Sequence, residues 1–132
     1  MNFVSTRIIT ADVNRLVDFY ETVTEVPAVW GNELFAEIPT PAGTLAIGSD
    51  KTVPLFAAGS AEPAANRSVI VEFLVDDVDA QYERLHERVP EVVTTPTTMP
   101  WGNRALLLRD PDGNLVNLFT PVTAEARAKF GM

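Results

Sequence analysis

The chain has no cysteine and a single histidine, His86. The first absence excludes disulfides, thiolate nucleophiles and cysteine-bound metals, while leaving the redox compartment open. The second leaves any histidine triad dependent on His86 alone. Cations are scarce, 10 Lys and Arg against 18 Asp and Glu, for a net charge of −8 at pH 7. That balance disfavours nucleic acid and anionic membranes and suits a cationic small molecule, although acidity also serves plain solubility. No stretch approaches the roughly 18 uninterrupted apolar residues of a membrane span, and Met1 to Ser5 carries no basic segment leading into an apolar run. A cytoplasmic protein without a signal peptide is therefore expected. Gly-x-Ser-x-Gly, a Gly-rich phosphate loop and His-Glu-x-x-His are missing as well.

What is present is enough for a core. A chain of 132 residues with 46% hydrophobic residues suits one domain, 1–132, that buries roughly two-thirds of its unfolded surface. Its most legible stretch is a hairpin: apolar residues from Ala105 to Leu108, the turn Asp110-Pro111-Asp112-Gly113, then Asn114 to Phe119. Asp-Gly supplies the positive φ such turns need.

The pattern occurs twice. Ile38-Pro39-Thr40-Pro41-Ala42-Gly43-Thr44-Leu45 lies over Leu108-Arg109-Asp110-Pro111-Asp112-Gly113-Asn114-Leu115 at an offset of 70 (111 − 41), pairing Ile47 with Asn117. Asp12-Val13 and Asp77-Val78 each open an apolar helical period, at an offset of 65 (77 − 12). Two echoes in the same order indicate an internal duplication. Each half reads as strand, helix and a group of strands, module 1 spanning about 3–60 and module 2 about 67–122, with a short helical tail at 123–132.

In chain order, Phe3 to Thr10 is expected as a strand and Asp12 as the N-cap of a helix to about Thr24. Short strands at 28–30, 34–38 and 44–48 follow. Residues 50–67 read as the connection, with a possible edge strand at 53–57. Ser68 to Val75 is expected as a strand with Ser68, Ile70, Glu72 and Leu74 on one face, and Asp77 to about Val89 as a helix whose polar side carries His86 as a solvated residue. Glu91 to Thr95 follows as a strand, and Thr94 to Met99 as a Thr- and Pro-rich loop suited to a lid.

The duplicated plan, the two Asp-Val helix starts, Phe19-Tyr20, Pro100-Trp101-Gly102 and Asp110-Pro111-Asp112-Gly113-Asn114 resemble the vicinal oxygen chelate superfamily, which includes glyoxalase I, extradiol dioxygenases and bleomycin-resistance proteins. The resemblance implies an α+β fold: two βαβββ modules forming an open, eight-stranded, barrel-like sheet around a pocket, usually in a homodimer. Metal-using members carry ligands on the first and last strand of each module. Carried over, those positions are Ser5, Ile47, Ile70 and Asn117, which cannot hold a divalent metal, so neither metal nor other cofactor is expected.

Arg7 and Glu72 share the inward register of Ser5 and Ile70. One reading is a polar pair satisfying itself in a closed interior. The other makes Glu72 the receiver of a ligand cation or a general base, with Arg7 holding its charge and orientation. Trp101, Met99 and Phe35, with Trp30 as a more structural candidate, would supply the apolar contacts. Two functions follow: metal-independent binding of a cationic or aromatic small molecule through Arg7, Glu72, Trp101, Met99, Asn117, Ser5 and Phe35, or a metal-independent isomerase, lyase or hydrolase with Glu72 as base.

Overall fold

A computed structural model describes residues 1–132. Its contacts divide the chain into two units, Met1–Asn66 and Arg67–Met132, so the boundary falls where the duplication places it.

The first unit runs β1 (Ser5–Thr10), α1 (Val13–Thr24), β2 (Val29–Asn32), β3 (Phe35–Pro39) and β4 (Thr44–Ser49). A single 3-10 turn (Asp50–Thr52) and the short helix α2 (Val53–Phe56) complete it. Its four-stranded sheet has the order β1-β4-β3-β2, with β1 parallel to β4 and the other pairs antiparallel. Asp12 caps α1 as expected, its side chain accepting from the Arg15 backbone N–H. The helix ends at Glu25, whose left-handed φ of 57° turns the chain before Pro27. Leu16, Val17, Tyr20 and Val23 recur at helical spacing and are all buried, and α1 packs on β3 and β4.

The second unit repeats the plan with β5 (Ile70–Leu74), α3 (Val78–Leu85), β6 (Glu91–Thr98), β7 (Asn103–Arg109) and β8 (Leu115–Pro121), then adds α4 (Ala124–Lys129). Its sheet order, β5-β8-β7-β6, is the first unit's order repeated. Asp77 caps α3 as Asp12 caps α1, accepting from the Ala80 N–H. Val78 and Leu85 are buried, and α3 packs on β6, β7 and β8. The chain is thus α+β, with α1 or α3 on one face of each sheet; the other, helix-free face lacks those two helices, although Phe56 of α2 and Phe130 after α4 reach it.

Four expectations change. Residues 53–57 form a helical turn instead of an edge strand: Ser49 Oγ accepts from the Lys51 N–H, starting a 3-10 turn that runs into Val53 and Pro54, and Pro is tolerated in a first turn. The Thr- and Pro-rich stretch is no lid loop, because β6 continues through it to Thr98. Threonine is β-branched and favours extended backbone, and Pro96 is accommodated because β6 is an outer strand with irregular pairing between Thr94 and Thr97. Helix α3 stops at Leu85, short of Val89, since Pro90 disfavours helical backbone in the residue before it. His86 is half-buried rather than fully solvated, stacked on Tyr82 at 5.0 Å with Nδ1 3.0 Å from the Tyr82 carbonyl oxygen.

The tail docks on its own unit. Gly102, at φ 93°, accepts from the Val122 and Thr123 N–H groups through its carbonyl, and Phe130 lies 5.5 Å from Phe119.

Candidate functional site

Strand pairing decides which side chains share a face. In the first unit Arg7 is partnered with Ala46 and Ala46 with Glu37, placing Ser5, Arg7, Ile9, Ala46, Gly48 and Phe35 on the helix-free face. The opposite face carries Ile8, Ile47, Ala36 and Ile38, the last three fully buried on the helix side. Ile47 is therefore core, and the expected pairing of Ile47 with Asn117 is corrected. Ser5 is partnered with Thr44 and Ile70 with Leu115, so between β4 and β8 the repeat offset is 71 (115 − 44). The cause is turn length. The first turn closes from the Thr40 N–H to the Gly43 carbonyl, the second from the Asp110 N–H to the Asn114 carbonyl, one residue longer. One residue inverts every side chain on the strand that follows. Ala46, not Ile47, is the counterpart of Asn117.

The longer turn is built by Asp110. This residue is 2% exposed, and its Oδ1 accepts from the Asp112 and Asn114 N–H groups while Oδ2 accepts from Asn114 Nδ2 at 2.8 Å. Gly113 takes φ 85°, as the Asp-Gly reading requires, and its carbonyl accepts from Arg109 Nη1 at 3.0 Å.

On the helix-free face of the second sheet, Glu72 sits opposite Asn117, and Asn117 opposite Leu107. Asn117 Nδ2 donates to Glu72 Oε2 at 2.7 Å. Asn117 Oδ1 is buried and has no hydrogen-bond partner. Around this pair the same face carries Ile70, Leu74, Leu107 and Leu115, with Ile70 46% and Leu74 42% exposed. An exposed carboxylate is thus fixed by a neighbouring amide among mostly apolar side chains, with Arg109 beyond Leu115 on the same face. Both residues were singled out in the sequence, but their bond was not; the parallel pairing of the first and last strands of a βαβββ module is the feature that brings them together.

Arg7 is held within its own unit by aromatic rings. Its guanidinium lies 4.6 Å from the Phe35 ring centroid and 5.3 Å from that of Phe56, both in its own unit. Such contacts hold a guanidinium without cancelling its charge. Phe35 was expected at this face; Phe56 was not, because the stretch before it did not read as helix. Trp30 is partnered with Ala36 and lies on the other face from Phe35. Met99 and Trp101 belong to the turn after β6, closed by the Gly102 N–H on the Met99 carbonyl at 2.9 Å, and Trp101 is 68% exposed.

Arg104 lies on the helix side, where Nε and Nη2 donate to Asp79 Oδ2 and Oδ1 at 2.8 and 2.9 Å. The hydrogen bond from Arg104 holds the Asp79 carboxyl below its usual range; desolvation opposes the shift and the guanidinium charge reinforces it.

The donor chemistry fits no transition metal. In the first unit the first- and last-strand positions of the helix-free face hold the Ser5 hydroxyl and the Ala46 methyl; in the second they hold the Ile70 hydrocarbon and the Asn117 amide. Neutral oxygens are weak ligands for such ions, and hydrocarbon is none. Nor do three or more His, Asp or Glu side chains gather anywhere in a metal-holding group.

With the two repeated units and this face described, the chain's relationships follow. The model of the Glyoxalase/Bleomycin resistance protein/Dioxygenase superfamily matches residues 2–118, and the chain belongs to that superfamily. It is 27% identical over 125 residues, 90% of this chain and 98% of the relative, to the uncharacterized protein YraH of Bacillus subtilis. Among solved structures it resembles a glyoxalase/bleomycin resistance protein/dioxygenase from Nocardioides, with a TM-score of 0.75 and 24% identity, covering 94% of this chain and 85% of that one. A family enzyme from Burkholderia phytofirmans gives a TM-score of 0.78 at 17% identity, covering 89% and 97%. At these identities the likeness is one of fold. No helix is long and apolar enough to cross a membrane.

Proposed function

We propose that this chain is a metal-independent small-molecule-binding protein of the glyoxalase/bleomycin-resistance type, acting in the cytoplasm as one domain that assembles into a homodimer. The observation that carries the reading is the Glu72–Asn117 pair. A carboxylate held at 2.7 Å by an amide, yet still exposed, is oriented and open to a further partner. Ile70 and Leu74 on the same face give an apolar body something to cover. On their own units, Arg7, Ser5 and Phe35, and Met99 and Trp101, are the other side chains assigned to ligand contact.

Glu72→Gln tests the reading. The change keeps size and removes charge, so affinity for a bound cationic or aromatic compound falls by about 1.5–3 kcal/mol. The melting temperature stays within about 1 °C, because surface substitutions outside packed or capped positions cost little. Loss of turnover with affinity intact would instead make Glu72 a general base. Loss of stability alone would reduce it to a structural residue.

A further inference from the structure

Apart from the second Asn117 amide hydrogen, the polar groups that the Glu72–Asn117 pair leaves over are acceptors. A carboxylate cannot donate, so Asn117 must turn its Nδ2 toward Glu72, which fixes the amide orientation. That orientation commits one amide hydrogen to Glu72 and leaves Asn117 Oδ1 buried and unpartnered. Glu72 retains the lone pairs of its other oxygen on an exposed side chain. An orphaned buried carbonyl is costly to leave unpaired, so a donor that reaches it gains more than an ordinary surface hydrogen bond would give. The side chains nearest the pair on this face, Ile70, Leu74, Leu107 and Leu115, supply no donor, and Arg109, beyond Leu115 on the same face, gives Nη1 to the Gly113 carbonyl.

We propose that the Glu72–Asn117 pair recognises a planar double donor, an amidinium or guanidinium, whose apolar portion lies on Ile70 and Leu74. One N–H of the ligand meets the Glu72 carboxylate in a charge-assisted bond and a second satisfies Asn117 Oδ1. A carboxylate or phosphate ligand is rejected, because it would set acceptors against acceptors beside a charge of the same sign. A primary ammonium binds less well, since its donors do not lie in one plane at fork spacing. This assignment rests on the ligand-binding reading of the same face and narrows it to a chemical class.

The probe is benzamidine, titrated into the full chain with the side-chain amide signals of Asn117 followed by NMR; benzylamine, benzoate and benzamide serve as comparisons. The expected result is saturable displacement of the Asn117 signals by benzamidine, with affinity falling about tenfold or more in Glu72→Gln. Asn117→Leu should narrow the preference of benzamidine over benzylamine, because the second acceptor is gone. Glu72→Asp, which keeps the charge but withdraws it by one methylene, should retain part of the affinity, and unchanged melting of each variant shows that the fold is intact. If benzamidine leaves the Asn117 signals unmoved while benzamide or benzoate shifts them in a Glu72-dependent way, the double-donor assignment is overturned and the binding face stands. If none of the four probes moves them, the assignment and the binding face both fall. Equal affinity of benzamidine for the parent and Glu72→Gln likewise overturns the assignment.

Discussion

At the scale of single residues, two carboxylates on the second sheet have opposite duties. Glu72 is exposed and can be changed without disturbing the core, whereas Asp110 is 2% exposed and satisfies two backbone N–H groups and one side-chain amide. Asp110→Ala leaves those donors buried without their acceptor, and chemical denaturation should show a loss of about 2–3 kcal/mol. Asp79 differs again. Its carboxyl is held below the usual range by Arg104, so the stability it contributes is present above the ordinary carboxylate pKa and is lost as pH falls through its lowered folded value. The melting-temperature difference between the parent and Asp79→Asn should therefore be largest near neutrality and close in acid. Asp79 is exposed and Arg104 only half-buried, so the difference stays small throughout.

At the scale of elements, two glycines of similar backbone conformation separate two effects. Gly113, at φ 85°, has nothing within 4 Å of where a Cβ would stand. Gly113→Ala therefore costs only the left-handed conformation, about 1 kcal/mol. Gly102, at φ 93°, would drive a Cβ into the Thr123 hydroxyl and to 3.0 Å from the Ala126 Cβ. Gly102→Ala should cost more than about 2 kcal/mol and loosen α4, visible as faster amide exchange from Ala126 to Phe130. The register of β4 has its own test. Ile47 is fully buried on the face where α1 packs, so Ile47→Ala should cost about 2–4 kcal/mol. A ligand-facing position would give much less.

At the scale of the whole molecule, the donor set and the assembly can be checked directly. Elemental analysis after dialysis should find no stoichiometric zinc, nickel, manganese or iron, because the Ser5, Ala46, Ile70 and Asn117 side chains offer no anionic or imidazole ligand. One metal per chain, lost together with function on chelation, would contradict it. Sedimentation at micromolar concentration should show a homodimer, the arrangement proposed from the family resemblance. A monomer would remove that part of the proposal and leave the Glu72–Asn117 face in place.

Much of this was legible in residue order, because it is local. Asp12 and Asp77 mark helix starts through bonds to N–H groups three residues on, and Asp110 with Gly113 marks a turn through its own φ requirement. The two-unit plan was readable from the internal repeat, and Asn117 was placed on the last strand of its module by that repeat and the family resemblance. Three features were decided only by tertiary pairing. Residues Thr94 to Thr98 became strand because β7 offered them a ladder. Arg7 found Phe56 because a 3-10 turn folded the following segment back toward it. Ile47 went to the core, leaving Ala46 on the helix-free face, because the first turn closes one residue sooner than the second. Side chains alternate along a strand with period two, so a single residue of turn, invisible in composition and nearly invisible in alignment, inverts the whole of β4.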